Sequence, residues 1–244
     1  MKTVIIASLI ILFTVPIMKA QNDFEKDIIK TSGGDLEITF IGHGTLMFSY
    51  NDLIIHADPV AGYADYSKLP NADIVLITHQ HGDHLNKEAL DLISTANTDK
   101  VITEKIAEEL EGGIIVKNWE TKEVKGLNIL AVPAYNVVHK RSNGIPFHPK
   151  GEGNGYVITF GDTKVYVGGD TENFPEMKDI PQVDIAFLPM NLPYTMTPDM
   201  VAAAARVLKP GILYPYHFGD TNTDELLNLM KDEKGIEVRI RNMK

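Results

Sequence analysis

Ile74-Val75-Leu76-Ile77-Thr78-His79-Gln80-His81-Gly82-Asp83-His84 is the stretch from which the rest of the chain is best read. Its first four residues are an unbroken apolar run, the pattern of a short strand buried on both faces. The next seven hold three histidines and an aspartate, with Gly82 expected to permit a tight turn. On a helix His79 and His81 would fall on different faces. In a turn just beyond a strand, His79 and His81 can face one cation while Asp83 and His84 face another. Imidazole and carboxylate donors suit zinc, with manganese or iron as alternatives. The chain has no cysteine, so a metal must rest on His, Asp, Glu or backbone oxygen.

Working outward, residues 36–41, 46–50 and 53–57 read as short strands. A helix is expected over 86–93, strands over 101–103, 114–116 and 127–132, and a short helix over 104–110. The second half repeats the recipe. Residues 156–160 and 164–167 flank the turn Gly161-Asp162 as a hairpin. Residues 184–188 and 212–214 are buried-type strands. Thr197-Pro198-Asp199 opens a helix that runs to 208 and stops at Lys209-Pro210-Gly211. A last helix covers 223–231 and a last strand 236–240. Strands mixed with helices in both halves predict two sheets with helices outside, in one domain over residues 21–244. On this map Asp170 and His217, like His79, lie just past buried strands, where ligands gather in such sheets.

Thr78-His79-Gln80-His81-Gly82-Asp83-His84 resembles the signature of the metallo-β-lactamase superfamily. The wider pattern is similar to its ascorbate-6-phosphate-lactonase-like branch of metal-dependent hydrolases. Supporting pieces are Ile41-Gly42-His43-Gly44-Thr45, Asp58-Pro59, His148-Pro149-Lys150-Gly151, Gly169-Asp170-Thr171-Glu172, Tyr194-Thr195-Met196-Thr197 and Pro215-Tyr216-His217. The resemblance spans about residues 36–220. It implies an α/β fold, a four-layer αββα sandwich of two duplicated halves with metals at one edge. It also implies roles: His79 and His81 on a first metal, Asp83, His84 and His217 on a second, and Asp170 bridging both. One position departs from the pattern, because Asn136 stands where many members place a third first-site histidine. His148 is favoured to replace it, with Asn136 itself or His139 as alternatives, and a single-metal site stays open. His43 is expected near the reacting atoms, Asp58 behind the His79 loop, and His56 in a structural place. Lys150 is a candidate for holding an anionic substrate group or a solvated lysine.

The residues before this domain read differently. Met1-Lys2 precedes an apolar run over 4–17, which is short for a membrane span, and a polar stretch follows Ala20. Residues 1–20 are therefore expected to be an export signal, leaving a periplasmic or secreted protein without a stable membrane anchor. Its removal takes Lys2 and Lys19 and moves the formal charge from −10 to −12. So acidic a chain is a poor partner for nucleic acid. The expectation is a hydrolase that uses one or two divalent metals and a metal-bound hydroxide to cleave an ester, lactone, amide or phosphodiester bond of a small substrate. Asp83, Asp170 and His43 are its expected catalytic residues. The rivals are a non-catalytic metal-binding protein and a di-iron redox protein on the same fold.

Overall fold

The computed structural model describes residues 23–244; the expected export signal lies outside the described residues. Seven strands come first: β1 (Glu25–Thr31), β2 (Gly34–Gly42), β3 (Thr45–Tyr50), β4 (Leu53–Ala57), β5 (Ile74–Leu76), β6 (Asp99–Ile102) and β7 (Ile114–Ile115). They lie side by side in sequence order. The first four form an antiparallel meander, and from β4 onward neighbours are parallel. Seven more strands repeat this plan in a second sheet: β8 (Thr121–Val124), β9 (Leu127–Ala134), β10 (Gly153–Phe160), β11 (Thr163–Val167), β12 (Ile185–Pro189), β13 (Ile212–Tyr216) and β14 (Glu237–Val238). They too are antiparallel as far as β11 and parallel after it.

Parallel neighbours need a crossover. Helices α1 (Lys87–Ile93), α2 (Pro198–Leu208) and α3 (Thr223–Met230) supply three of them. The result is the expected αββα sandwich of two duplicated halves. Strand β5 shows how the layers form. Ile74 and Leu76 join the core between the sheets, while Val75 packs outward with Ile77, Ala89, Leu90 and Ile93 under α1. Aromatic contacts then join the two halves: Phe40 lies 5.1 Å from Tyr214, and Phe48 lies 5.9 Å from Phe160. Helix α2 begins as its sequence requires, with the Thr197 side chain accepting from the Met200 amide and Pro198 in the first turn. It ends at Lys209 in the left-handed conformation.

Several elements differ from expectation. Strands β1 and β8 carry no apolar face that the sequence could reveal, because both are sheet edges with mostly exposed or half-buried side chains. The helix expected over 104–110 is only a single tight turn, Ile106–Glu108, cut short before Gly112-Gly113. The last strand is two residues long rather than five. Edge strand β1 is nevertheless tied down. Asp27 accepts from both Arg239 and Arg241 near the carboxyl terminus, and from the Tyr214 hydroxyl.

Candidate metal centre

Six connections meet at one edge of the sandwich. Asp58 follows β4 directly, and residues 78–84 follow β5. Asp170 comes three residues after β11, and His217 comes directly after β13. His43 sits in the turn between β2 and β3, and His148 in the long connection between β9 and β10. The two halves are bonded there, since the His217 amide donates to the His43 carbonyl at 2.9 Å.

The side chains form two adjoining clusters. In the first, His81 Nδ1 lies 3.0 Å from His79 Nε2 and 3.2 Å from His148 Nε2. In the second, His217 Nε2 lies 3.6 Å from Asp83 Oδ2, and His84 Nε2 lies 3.3 Å from Asp170 Oδ1. Asp170 stands between them, because its Oδ2 is 3.1 Å from His148 Nε2 and its Oδ1 is 3.5 Å from His217 Nε2. His43 reaches the cluster, with Nε2 3.5 Å from Asp83 Oδ2 and its ring centroid 3.7 Å from that of His217. His43, Asp83 and His217 form one group able to share a cation, and His79, His84 and Asp170 another.

Three buried atoms test whether a metal fits. His84 Nε2, His217 Nε2 and Asp170 Oδ1 have no hydrogen-bond partner, although the residues are at most 5% exposed. Buried polar atoms are rarely left so; a cation held by His79, His84 and Asp170 would satisfy His84 and Asp170, and one held by His43, Asp83 and His217 would satisfy His217. The donors are nitrogen and carboxylate oxygen only, which suits a divalent transition metal. The carboxylates are held in the charged form, and Asp170 and Asp58 also push His84 up against the effect of burial. Burial alone would raise the Asp170 carboxyl, but the rings of His217, His84 and His148 hold it well below the usual carboxylate range. Burial likewise opposes ionisation of Asp83, and His217, His43 and His84 outweigh it. His79 and His81 are pushed down, first by burial and then by neighbouring imidazoles, and so favour the neutral ligand form.

A second set of residues aims these donors. Asp58 is fully buried and accepts from the Thr78 amide at 2.8 Å, the Thr78 hydroxyl at 2.7 Å and His84 Nδ1 at 2.7 Å. That leaves His84 Nε2 free to face the cluster. Asn136 does the same for His148, its Oδ1 accepting from the His148 amide at 2.7 Å and from Nδ1 at 2.8 Å. The Asn136 amide cannot flip, because its Nδ2 donates to Glu172 and to the Tyr194 carbonyl. Glu172 is fully buried and also accepts from the amides of Val137, Val138 and His139.

Backbone strain gathers at the same edge. Of eight non-glycine residues with positive φ among the described residues, three are His43, Asp58 and His217, at 53°, 47° and 48°. Gly44 is required for a different reason: a Cβ there would lie 2.9 Å from His84 Cε1. Gly82 is not what the sequence suggested. Its φ is not positive and a Cβ would meet nothing within 4 Å, so the turn does not depend on glycine there.

Other expectations resolve by position. The structure brings His148 beside His79 and His81. His139 instead binds Glu172, with Nδ1 2.6 Å from Oε1. The Asn136 oxygen is taken up by His148 rather than aimed at the cluster. Of the two alternatives for Lys150, the structure fits the solvated lysine: it is largely exposed, pairs with Glu176 over the Tyr135 ring and does not line the cleft. His56 is fully buried with Nε2 3.1 Å from the Pro70 carbonyl, a structural place. The clusters floor a cleft of about 450 Å³ whose further walls are Arg141, Phe147, Asn191 and Tyr194. Sequence reading had not singled out Arg141, Phe147 or Asn191. Among the described residues no helix is long and apolar enough to cross a membrane.

Comparison with known proteins places this geometry in context. A family model described as a beta-lactamase superfamily domain matches residues 37–217. A metal-dependent hydrolase of Thermococcus onnurineus is 31% identical over 195 residues, 75% of this chain and 84% of that one. A crystal structure from Parabacteroides distasonis, assigned as a metal-dependent hydrolase, superposes with a TM-score of 0.86. It is 48% identical and covers 91% of this chain and all of its own. A metallo hydrolase of Ignicoccus hospitalis shares the fold at a TM-score of 0.69 and 23% identity, covering 84% of this chain and 94% of its own.

Proposed function

The chain belongs to the beta-lactamase superfamily domain family, and from that premise we propose that it is a metal-dependent hydrolase of small substrates. The observation that carries this reading is the set of unsatisfied buried donors converging on the floor of an open cleft. His79, His81 and His148 would hold one cation; Asp83, His84 and His217 are the set that the motif resemblance implies for a second, with Asp170 between them. Zinc is the metal proposed, given histidine and carboxylate donors without cysteine. When bound, such cations polarise a carbonyl or phosphoryl oxygen and make water a nucleophile near neutral pH.

The protein's own groups do the rest. Asp83 is 42% exposed at its side chain and faces the cleft, where its ionised carboxylate orients the attacking water. His43, 3.5 Å from that carboxylate, takes up the proton the water gives up and passes it to the leaving atom. Asp58 and Asn136 hold His84 and His148 in one tautomer, so that each presents Nε2. The bond cleaved is an ester, lactone, amide or phosphodiester, and the lactone-cleaving branch that the motifs resemble is the first to try. Residues 1–20 direct the chain out of the cytoplasm in this proposal, to the periplasm or medium.

Elemental analysis of the purified protein should find one or two transition metals per chain. A panel of lactone, ester, amide and phosphodiester substrates should show turnover that Asp83→Ala abolishes. Tightly held metal with no turnover would favour a binding protein, and bound iron with a redox-active spectrum an oxidoreductase.

A further inference from the structure

The chain has four arginines. Three hold carboxylates: Arg206 pairs with Glu233, Arg239 with Glu237 and Asp27, and Arg241 with Asp27. Arg141 has no carboxylate partner among the described residues, although acidic residues outnumber basic ones by 33 to 23. It lies instead at the wall of the cleft above the metal centre.

Its setting is built rather than loose. The Arg141 amide donates to the Ile145 carbonyl at 2.8 Å, and the Gly144 amide donates back to the Arg141 carbonyl at 2.9 Å, closing a tight turn. The guanidinium carbon sits 5.4 Å from the centre of the Phe147 ring, and Nη2 donates to the Phe147 carbonyl at 3.2 Å. Phe147 in turn meets Tyr194 edge to face at 5.0 Å. A guanidinium has five N–H donors, so most of this fork remains open. Beyond the histidines and aspartates of the floor, the wall is one cation, two aromatic rings and the Asn191 amide, with no carboxylate.

We infer that Arg141 recognises an oxyanion, a carboxylate or a phosphate, carried by the substrate away from the bond that is cleaved. A planar fork held over a ring matches two oxygens of such a group and discriminates against neutral ends. The scissile bond then sits on the floor, and the body of the substrate lies against Phe147 and Tyr194. This substrate class rests on the hydrolase reading of the same cleft.

The test is calorimetric titration of metal-loaded protein with benzoate, terephthalate and 4-phosphonobenzoate. Each offers one carboxylate to the floor, and the last two add a distal oxyanion. Native protein should bind at least one of those two about tenfold more tightly than benzoate, the worth of a charge-assisted hydrogen bond. Which of them gains identifies carboxylate or phosphate. Arg141→Gln should bring the ratio to near one with metal content unchanged, and Arg141→Lys should fall between. Equal binding of all three probes by native protein, or an unchanged ratio in Arg141→Gln, overturns the inference. The ratio is read without turnover, so a protein that cleaves nothing in the panel defeats the hydrolase reading separately.

Discussion

The two halves of the sandwich use one backbone plan and divide the chemistry unequally. The β2–β3 connection presents His43 from a two-residue turn, while the corresponding β9–β10 connection presents His148 from a loop over residues 135–152. After β4 comes Asp58 and after β11 comes Asp170. Asp58 spends its oxygens on Thr78 and His84, whereas Asp170 keeps Oδ1 unpaired between the clusters. The first half thus supplies the dense histidine turn and its brace. The second supplies the central carboxylate and the cleft wall. Duplication repeats a strand end as a place to put a side chain, and the hydrogen bonds around that side chain decide whether it supports the site or faces it.

Exchanging the fates of the two aspartates gives the sharpest test. Asp170→Ala should lose bound metal and lower turnover by at least about a thousandfold, several kcal/mol of transition-state stabilisation. Asp58→Ala should instead lower folding stability by about 3 kcal/mol, because His84 and Thr78 lose their buried partner. Metal analysis beside denaturant unfolding separates the two. If Asp58→Ala strips the metal more completely than Asp170→Ala, the division between brace and ligand is wrong.

A smaller contrast lies one residue further inside each strand. His56 of β4 pairs with the second residue of β5, and Tyr166 of β11 with the second residue of β12. Burial pushes His56 down to about 4 and pushes Tyr166 up. His56 is therefore neutral when folded, while the unfolded chain takes up a proton near pH 6.5. Its contribution falls as pH drops from about 6.5 to about 4, and costs about 2 kcal/mol between pH 7 and pH 5. His56→Gln should remove that part of the acid sensitivity in unfolding titrations, and Tyr166→Phe should leave it intact. Equal acid sensitivity in His56→Gln and native protein would defeat this account.

The smallest expected effect concerns the loop that makes the halves unlike. Asn136→Ala frees the His148 ring to rotate and should weaken metal affinity at its cluster about tenfold. His148→Ala should weaken it more. Competition against a chelator would measure both, and the opposite order would make Asn136 the ligand.

The strand ends were legible because a buried strand announces itself by an unbroken apolar run, as over residues 74–77, and the polar residues after it stand out. The identities of His79, His81, Asp83, His84, Asp170 and His217 could thus be picked before their meeting was known. Strands β1 and β8 stayed hidden because an edge strand need not carry an apolar face. Asn136 was read as a weak candidate ligand because sequence does not show that its oxygen is already occupied. Lys150 could be read as an anion holder or as a solvated lysine, and sequence does not show that Glu176, 26 residues on, takes its charge. Arg141 and Phe147 gave no periodic signal. Only the small turn that pairs Lys140 with Pro146 brings them to the cleft.

The clamp on Asp27 bears on the order in which the molecule is completed. Every strand pairs with its neighbour in sequence, so each sheet can assemble from its own half of the chain as that half becomes available. Asp27 is different: its partners Arg239 and Arg241 are more than two hundred residues away. The first described strand therefore acquires these two anchors only after residues 239 and 241 have been made, and until then that carboxylate has no guanidinium partner.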